Sequence, residues 1–329
     1  FVRQPRLAGW RFWDRQMASV DALAGCFPSR DRSDESQDGD DGMLDLSSVV
    51  TLDIPSCVLT TSANNLSGSD GAFKLNLLAC ASADGEGDRP GCRQGNTGLF
   101  YWRGASEGLL RVLFSTHEND LGNGDDDDND GAFVHPSVAL AKATRVLELG
   151  AGLGGAGIGV AVGMAGRQSP DAQIKGVVVI TDGNPDAVEA SRRNVDLVMN
   201  DETNMATKAL RTRCVDVSCE VLLWGQANHD VFFEKHPDSF DVVVGCDLIY
   251  SHEQLPMLFA TIWQLLKTRR ERSTNSNPMA IIAFRDRSRL SPVHPNLDAV
   301  LTAAFMARKG GLLAEVLGGD YGGSEAEYE

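Results

Sequence analysis

The 329-residue chain carries 30 Lys and Arg against 46 Asp and Glu, a net charge of −16, and seven cysteines. That length supports one catalytic domain of roughly 200 residues plus an extension, and the acidity excludes a general nucleic-acid binder, which needs clustered Lys and Arg to meet phosphates. An odd cysteine count without a C-x-x-C pair argues against a disulfide framework and for reduced thiols in the cytosol or nucleus.

Residues 1–93 read as an N-terminal extension. Arg3, Arg6, Arg11 and Arg15 lie among aromatics, a composition compatible with a helix or with part of a transit peptide. The chain opens on Phe1 instead of Met, so it reads as a fragment and its targeting stays open. Residues 31–46, rich in Asp, Ser and Gly, read as disordered, whereas 47–61 and 73–81 are strand-like and predict a small β element. Further on, 119–131 holds Asp125, Asp126, Asp127 and Asp128 in a row and reads as a solvated acidic loop, an inert insertion.

Val146-Leu147-Glu148-Leu149-Gly150-Ala151-Gly152-Leu153-Gly154 is an apolar strand with one carboxylate that runs into a glycine-rich turn and then an apolar helix. Glycines permit positive φ and close backbone approach, and the helix start offers free N–H groups to a ligand. Gly150, Gly152 and Gly155 also satisfy the dinucleotide spacing, so spacing alone does not choose the ligand. Glu148 does bear on it: an anionic side chain repels a pyrophosphate but not the ammonium of a methionine moiety, which favours S-adenosylmethionine over NAD. Two plainer readings compete, a membrane span and a packing helix. Residues 149–166 are uncharged, and Gly155, Gly159 and Gly163 repeat at helix-contact spacing. Eight glycines in those eighteen positions make a poor membrane span.

Downstream, strand and helix signals alternate. Residues 176–181 are β-branched and end at Asp182; 185–199 is a helix capped by Asn184 and opened by Pro185; 211–223 and 240–245 are strand regions, the latter leading to Asp247; 254–267 is a helix and 279–284 a fifth strand. This alternation predicts an α/β fold with a doubly wound, mainly parallel sheet, whose ligands bind at the carboxyl ends of the strands. Asp182 is then placed to accept ribose hydroxyls, or else to act as a helix cap. Trp224 either stacks on adenine or fills the core, and Asp247 and Tyr250 stand three residues apart after the fourth strand. Cys214 and Cys219 have no standard metal spacing and read as buried small residues; no metal is expected. From Lys267 to Arg289 seven basic residues face two acidic ones, a local reversal in an acidic chain.

On these residues a family resemblance rests. The 146–154 run, Thr181-Asp182-Gly183-Asn184-Pro185, Leu222-Leu223-Trp224 and Gly245-Cys246-Asp247-Leu248-Ile249-Tyr250, with Asn96-Thr97-Gly98-Leu99-Phe100-Tyr101-Trp102 upstream, resemble the seven-stranded protein-lysine methyltransferases with a D-x-x-Y signature. The Asp-Gly-Asn-Pro and Asn-Thr-Gly segments are most similar to the calmodulin-lysine N-methyltransferase branch. The resemblance covers roughly residues 94–317 and implies a Rossmann-like class I methyltransferase domain over 94–329. It further implies S-adenosylmethionine as cofactor, with Trp102, Gly150, Ala151, Gly152, Asp182, Trp224 and Cys246 in its pocket beside Glu148. Asp247 and Tyr250 would face the target amine. Arg103 replaces the proline usual after that tryptophan, and the acidic insertion widens the gap to the glycine loop. The expected partner is a protein substrate, calmodulin first and an elongation factor as alternative, met by a monomer in the cytoplasm or nucleus without membrane or nucleic acid. From other classes stand an NAD-dependent oxidoreductase and an inactive cofactor-binding interaction protein.

Overall fold

Runs of Val, Ile and Leu separated by helix formers build the sheet at the centre of this computed structural model. The structure describes residues 2–3, 46, 48–54, 73–79, 99, 105–114, 135–167, 175–201, 208, 210, 215–225, 229–237, 240–249, 254–272, 278–284 and 313–314. The strands are β1 (Val2–Arg3), β2 (Ser48–Ile54), β3 (Phe73–Ala79), β4 (Arg145–Leu149), β5 (Gly176–Asp182), β6 (Val215–Val221), β7 (Val242–Cys246), β8 (Met279–Ala283) and β9 (Leu313–Ala314). The helices are α1 (Ala105–Phe114), α2 (Pro136–Lys142), α3 (Gly155–Arg167), α4 (Pro185–Asn200), α5 (His229–Lys235) and α6 (Leu255–Arg272).

Among the described residues seven strands form one sheet in the order β6-β5-β4-β7-β8-β1-β9. The first five of that order pair in parallel, and β1 lies antiparallel between β8 and β9. The expected doubly wound, mainly parallel seven-stranded sheet is therefore present. The chain order reverses at β4, which pairs with β5 on one side and β7 on the other; such a switch point opens a crevice at the carboxyl ends of the strands. At the opposite end Asp241 fixes the start of β4: its Oδ2 accepts the N–H groups of Thr144 at 2.9 Å and Arg145 at 3.0 Å.

Alternate strand residues serve opposite faces. Val146, Val178, Ile180, Val242 and Val244 pack with α1 and α3, whereas Leu147, Leu149, Val179 and Val243 pack with Leu258, Ile262 and Leu265 of α6. Glu148, two residues beyond Val146, shares the α3 face. The β element expected in the extension is an antiparallel hairpin, β2 with β3, and its Leu52, Leu75 and Leu77 join the α1–α3 core. Val2 and Arg3 form β1, and the rest of residues 1–30 lies outside the described residues. A two-residue strand has no periodicity of its own, and its pairing comes wholly from β8 and β9.

Candidate active site

The glycine-rich turn is built from two kinds of glycine. Gly150, Gly152 and Gly154 adopt φ of 57°, 54° and 77°, the left-handed region, and form the loop itself. Gly155, Gly159 and Gly163 lie on α3 as a packing stripe: a Cβ at Gly155 would stand 3.2 Å from Leu77, one at Gly159 would stand 2.6 Å from Leu110, and one at Gly163 would strike the Phe114 ring. A left-handed glycine turn and a helix-contact stripe are thus both present, each on its own residues. Among the described residues no helix is long and apolar enough to cross a membrane.

Three neighbours hold the loop from behind. Asp182, at the end of β5, accepts the Gly152 N–H at 2.9 Å through Oδ2 and the Asn184 N–H at 2.8 Å through Oδ1. With the Gly183 N–H as a third partner, three of its roughly four acceptor sites are used, leaving one for a ligand. Burial raises its pKa, against the lowering by the N–H groups of Asn184, Gly152 and Gly183. The helix cap next door is not Asp182 but Asn184, whose side chain accepts the Asp186 N–H. Ser191 of α4 donates to the Gly152 carbonyl at 2.7 Å. Asn194, one turn further along α4, donates to the Leu153 carbonyl at 3.0 Å.

Glu148 is 2% exposed and lies beneath the first turn of α3, where Oε2 accepts the Gly157 N–H at 2.8 Å. Burial pushes its pKa up to about 8; the Gly157 N–H opposes this and the Asp182 charge adds to it. Only an anionic Glu148 prefers an ammonium to a pyrophosphate, whereas with a pKa of about 8 this group is mostly protonated at neutral pH.

The far wall is the β7 turn. Asp247 has φ of 54°, the one non-glycine residue at positive φ among the described residues, and its N–H donates to the Ala283 carbonyl at 2.8 Å. Such a conformation costs about 1–3 kcal/mol and persists only where its surroundings impose it. Leu248 then folds back: a Cβ at Gly150 would stand 2.5 Å from its Cδ2, and one at Gly245 would also strike it. Trp224 meets the same place, its Cζ2 3.2 Å from a Gly150 Cβ. It is partly exposed and also packs on the α6-side core, so it joins the loop to that core. The Cys246 thiol is pushed well above its ordinary value by burial and by the Glu148 and Asp247 charges, against a hydrogen bond from Ser106. It stays a thiol.

The structure thus gathers Glu148, Gly150, Ala151, Gly152, Asp182, Trp224, Cys246 and Asp247 at one edge of the sheet. Trp102 and Tyr250 lie outside the described residues, as do the 119–131 loop and Arg285, Arg287 and Arg289. Sequence reasoning missed Leu248, Ser191 and Asn194. The last two carried a signal: they share a helical stripe with Ala187, Ala190 and Val198, so polar groups stand at core positions. Among the described residues no cluster of His, Cys, Asp and Glu could hold a metal.

A family model described as "Lysine methyltransferase" matches residues 126–291, just over half of the chain. No curated protein matches. Among solved structures, the chain is similar to a putative O-methyltransferase from Klebsiella pneumoniae, at 20% identity over 61% of this chain and 74% of that one, with a TM-score of 0.28. It is also similar to the O-methyltransferase TomG from Streptomyces achromogenes in complex with SAM, at 17% identity over 62% and 77%, TM-score 0.28. Both scores are low, and the fold assignment rests on the strand order instead.

Proposed function

The chain belongs to the lysine methyltransferase family, and on that premise we propose that it is an S-adenosylmethionine-dependent protein-lysine N-methyltransferase with calmodulin as favoured substrate. The observation that carries the reading is the closed glycine loop, three left-handed glycines tied by the Gly152 N–H to a half-buried carboxylate at the strand ends. The chemistry of the residues fits the cofactor. Asp182 offers a spare acceptor site for a hydroxyl donor, Trp224 a flat apolar face, and Glu148 a carboxyl that a nearby cation would help ionise. Bound there, S-adenosylmethionine supplies an electrophilic methyl group.

On this reading Gly150, Ala151, Gly152, Asp182, Trp224 and Cys246 form the cofactor pocket, to which the family resemblance adds Trp102. A lysine amine has a solution pKa near ~10.4 and attacks only when neutral, so the protein must strip it of water and align it. A carboxylate beside an amine raises the amine pKa; Asp247 is therefore a positioning acceptor and not a strong base. Tyr250 orients the amine by hydrogen bonding without adding charge. Two features support calmodulin: the Asp-Gly-Asn-Pro segment, and the basic 267–289 stretch, suited to an acidic protein.

Calorimetric titration with S-adenosylhomocysteine and NAD, followed by incubation of the protein with labelled methyl donor and calmodulin, tests the reading. Saturable binding of S-adenosylhomocysteine and label on a calmodulin lysine are expected. Binding of NAD alone would overturn the methyltransferase reading. Label appearing on an elongation factor and not on calmodulin would keep the chemistry and change the substrate.

A further inference from the structure

We infer that the β2–β3 hairpin is a positioning element of the cofactor loop and that Asn194 is the residue through which the two are coupled. This rests on the reading of residues 150–154 as the cofactor loop. Asn194 is fully buried, on a helix that belongs to neither partner. Its side-chain amide meets three backbone groups. Oδ1 accepts the Leu78 N–H at 2.5 Å, and Nδ2 donates both to the Leu78 carbonyl at 3.0 Å and to the Leu153 carbonyl at 3.0 Å.

The amide therefore completes the outer edge of β3 as a neighbouring strand would, and with its remaining proton holds the loop. No other neutral side chain with a helix-compatible reach supplies one acceptor and two donors from one planar group, apart from the longer glutamine. Two further contacts join the same partners. Leu153, the one large apolar side chain of the loop, packs with Ala79 at the end of β3 and with Ala187 and Ala190 of α4. Leu77 lies 3.2 Å from where a Cβ on Gly155 would stand. Ser191, three residues before Asn194, holds the preceding carbonyl, that of Gly152. Successive loop carbonyls are thus pinned by one face of α4, and only the second pin also grips the hairpin.

A loop with three left-handed glycines is easily deformed, so what orders it before the ligand arrives sets ligand affinity. A hairpin docked through Asn194 lends that order. By linkage, ligand bound at the loop must tighten the hairpin's docking by the same factor.

The first test uses the unaltered full-length protein: amide hydrogen exchange at Leu78 with and without saturating S-adenosylhomocysteine. Slower exchange by about fivefold or more is expected on binding. The second is a double-mutant cycle read by S-adenosylhomocysteine titration, pairing Asn194→Ala with Leu75→Ala, which loosens the hairpin core. Leu75→Ala is expected to weaken binding about fivefold in the parent and to have little effect once Asn194 is gone. Asn194→Gln, which keeps all three groups, is expected to recover part of the affinity. Ligand binding that leaves Leu78 exchange unchanged, or purely additive effects in the cycle, would overturn the coupling. No S-adenosylhomocysteine binding by the parent would overturn the cofactor reading instead.

Discussion

Glu148 is an acid that the fold keeps largely protonated. Burial raises its pKa from 4.5 to about 8, so between those values the folded protein binds more protons than the unfolded chain. The stability this group contributes is full below about pH 4.5, falls as pH rises, and is lost by about pH 8. Glu148→Gln keeps an acceptor for the Gly157 N–H and removes the titration. Its melting temperature is expected to vary less than the parent's across that window and to exceed the parent's at pH 8. Asp182, raised as well, has the same sign and leaves some slope behind. An equally steep profile in parent and variant would exclude Glu148 as the titrating group. Asp247 separates shape from chemistry in a different way. Glycine occupies its left-handed position freely, so Asp247→Gly is expected to stay within about 1 kcal/mol of the parent in stability. Methyl transfer is expected to fall about 100-fold, because the amine loses its alignment. Retained turnover in a folded Asp247→Gly protein would reduce the carboxylate to a turn residue.

At the scale of elements, α3 shows how one run of residues serves two purposes. Its start is loop, and its flank receives α1, with Leu110 over Gly159 and Phe114 over Gly163. Gly163→Ala drives a methyl group into the Phe114 ring and is expected to cost about 1–3 kcal/mol in chemical denaturation. Phe114→Leu in the same chain is expected to recover part of that loss; a neutral Gly163→Ala alone would show that α1 can move away. The sequence displays the glycine spacing but not which glycines turn and which pack, since φ is set by the tertiary contacts of each one. The β5–α4 unit was legible for the opposite reason: a β-branched run, an Asn cap and a Pro at the first helical position all agree locally. Helices α1, α2 and α5 went unread. They are seven to ten residues long, short enough that packing decides their state over propensity. Of the site, the strand-end residues could be read because topology places them. The supports from α4, Ser191 and Asn194, could not be assigned partners, because those partners are backbone carbonyls that no pattern of side chains reveals.

For the molecule as a whole, charge is the substrate argument. A chain of net charge −16 repels an acidic protein at a distance unless a local patch of opposite sign receives it. Residues 267–289 supply seven basic groups against two acidic ones. The sheet connects them to the site: Ala283 at the end of β8 accepts the Asp247 N–H, and Arg285, Arg287 and Arg289 follow it in the chain. If these arginines steer calmodulin, changing all three to Glu is expected to raise the apparent KM for calmodulin about tenfold at low salt and to flatten its salt dependence. S-adenosylhomocysteine affinity is expected to stay at the parent value, because the proposed cofactor pocket draws on none of the three. Thermal melting first establishes that the variant folds. Equal activity of variant and parent on calmodulin from low to moderate salt would assign the arginines to an ordinary solvated face. A salt-sensitive KM that persists in the variant would place the steering charge on Lys267, Arg269, Arg270 and Arg272 at the end of α6.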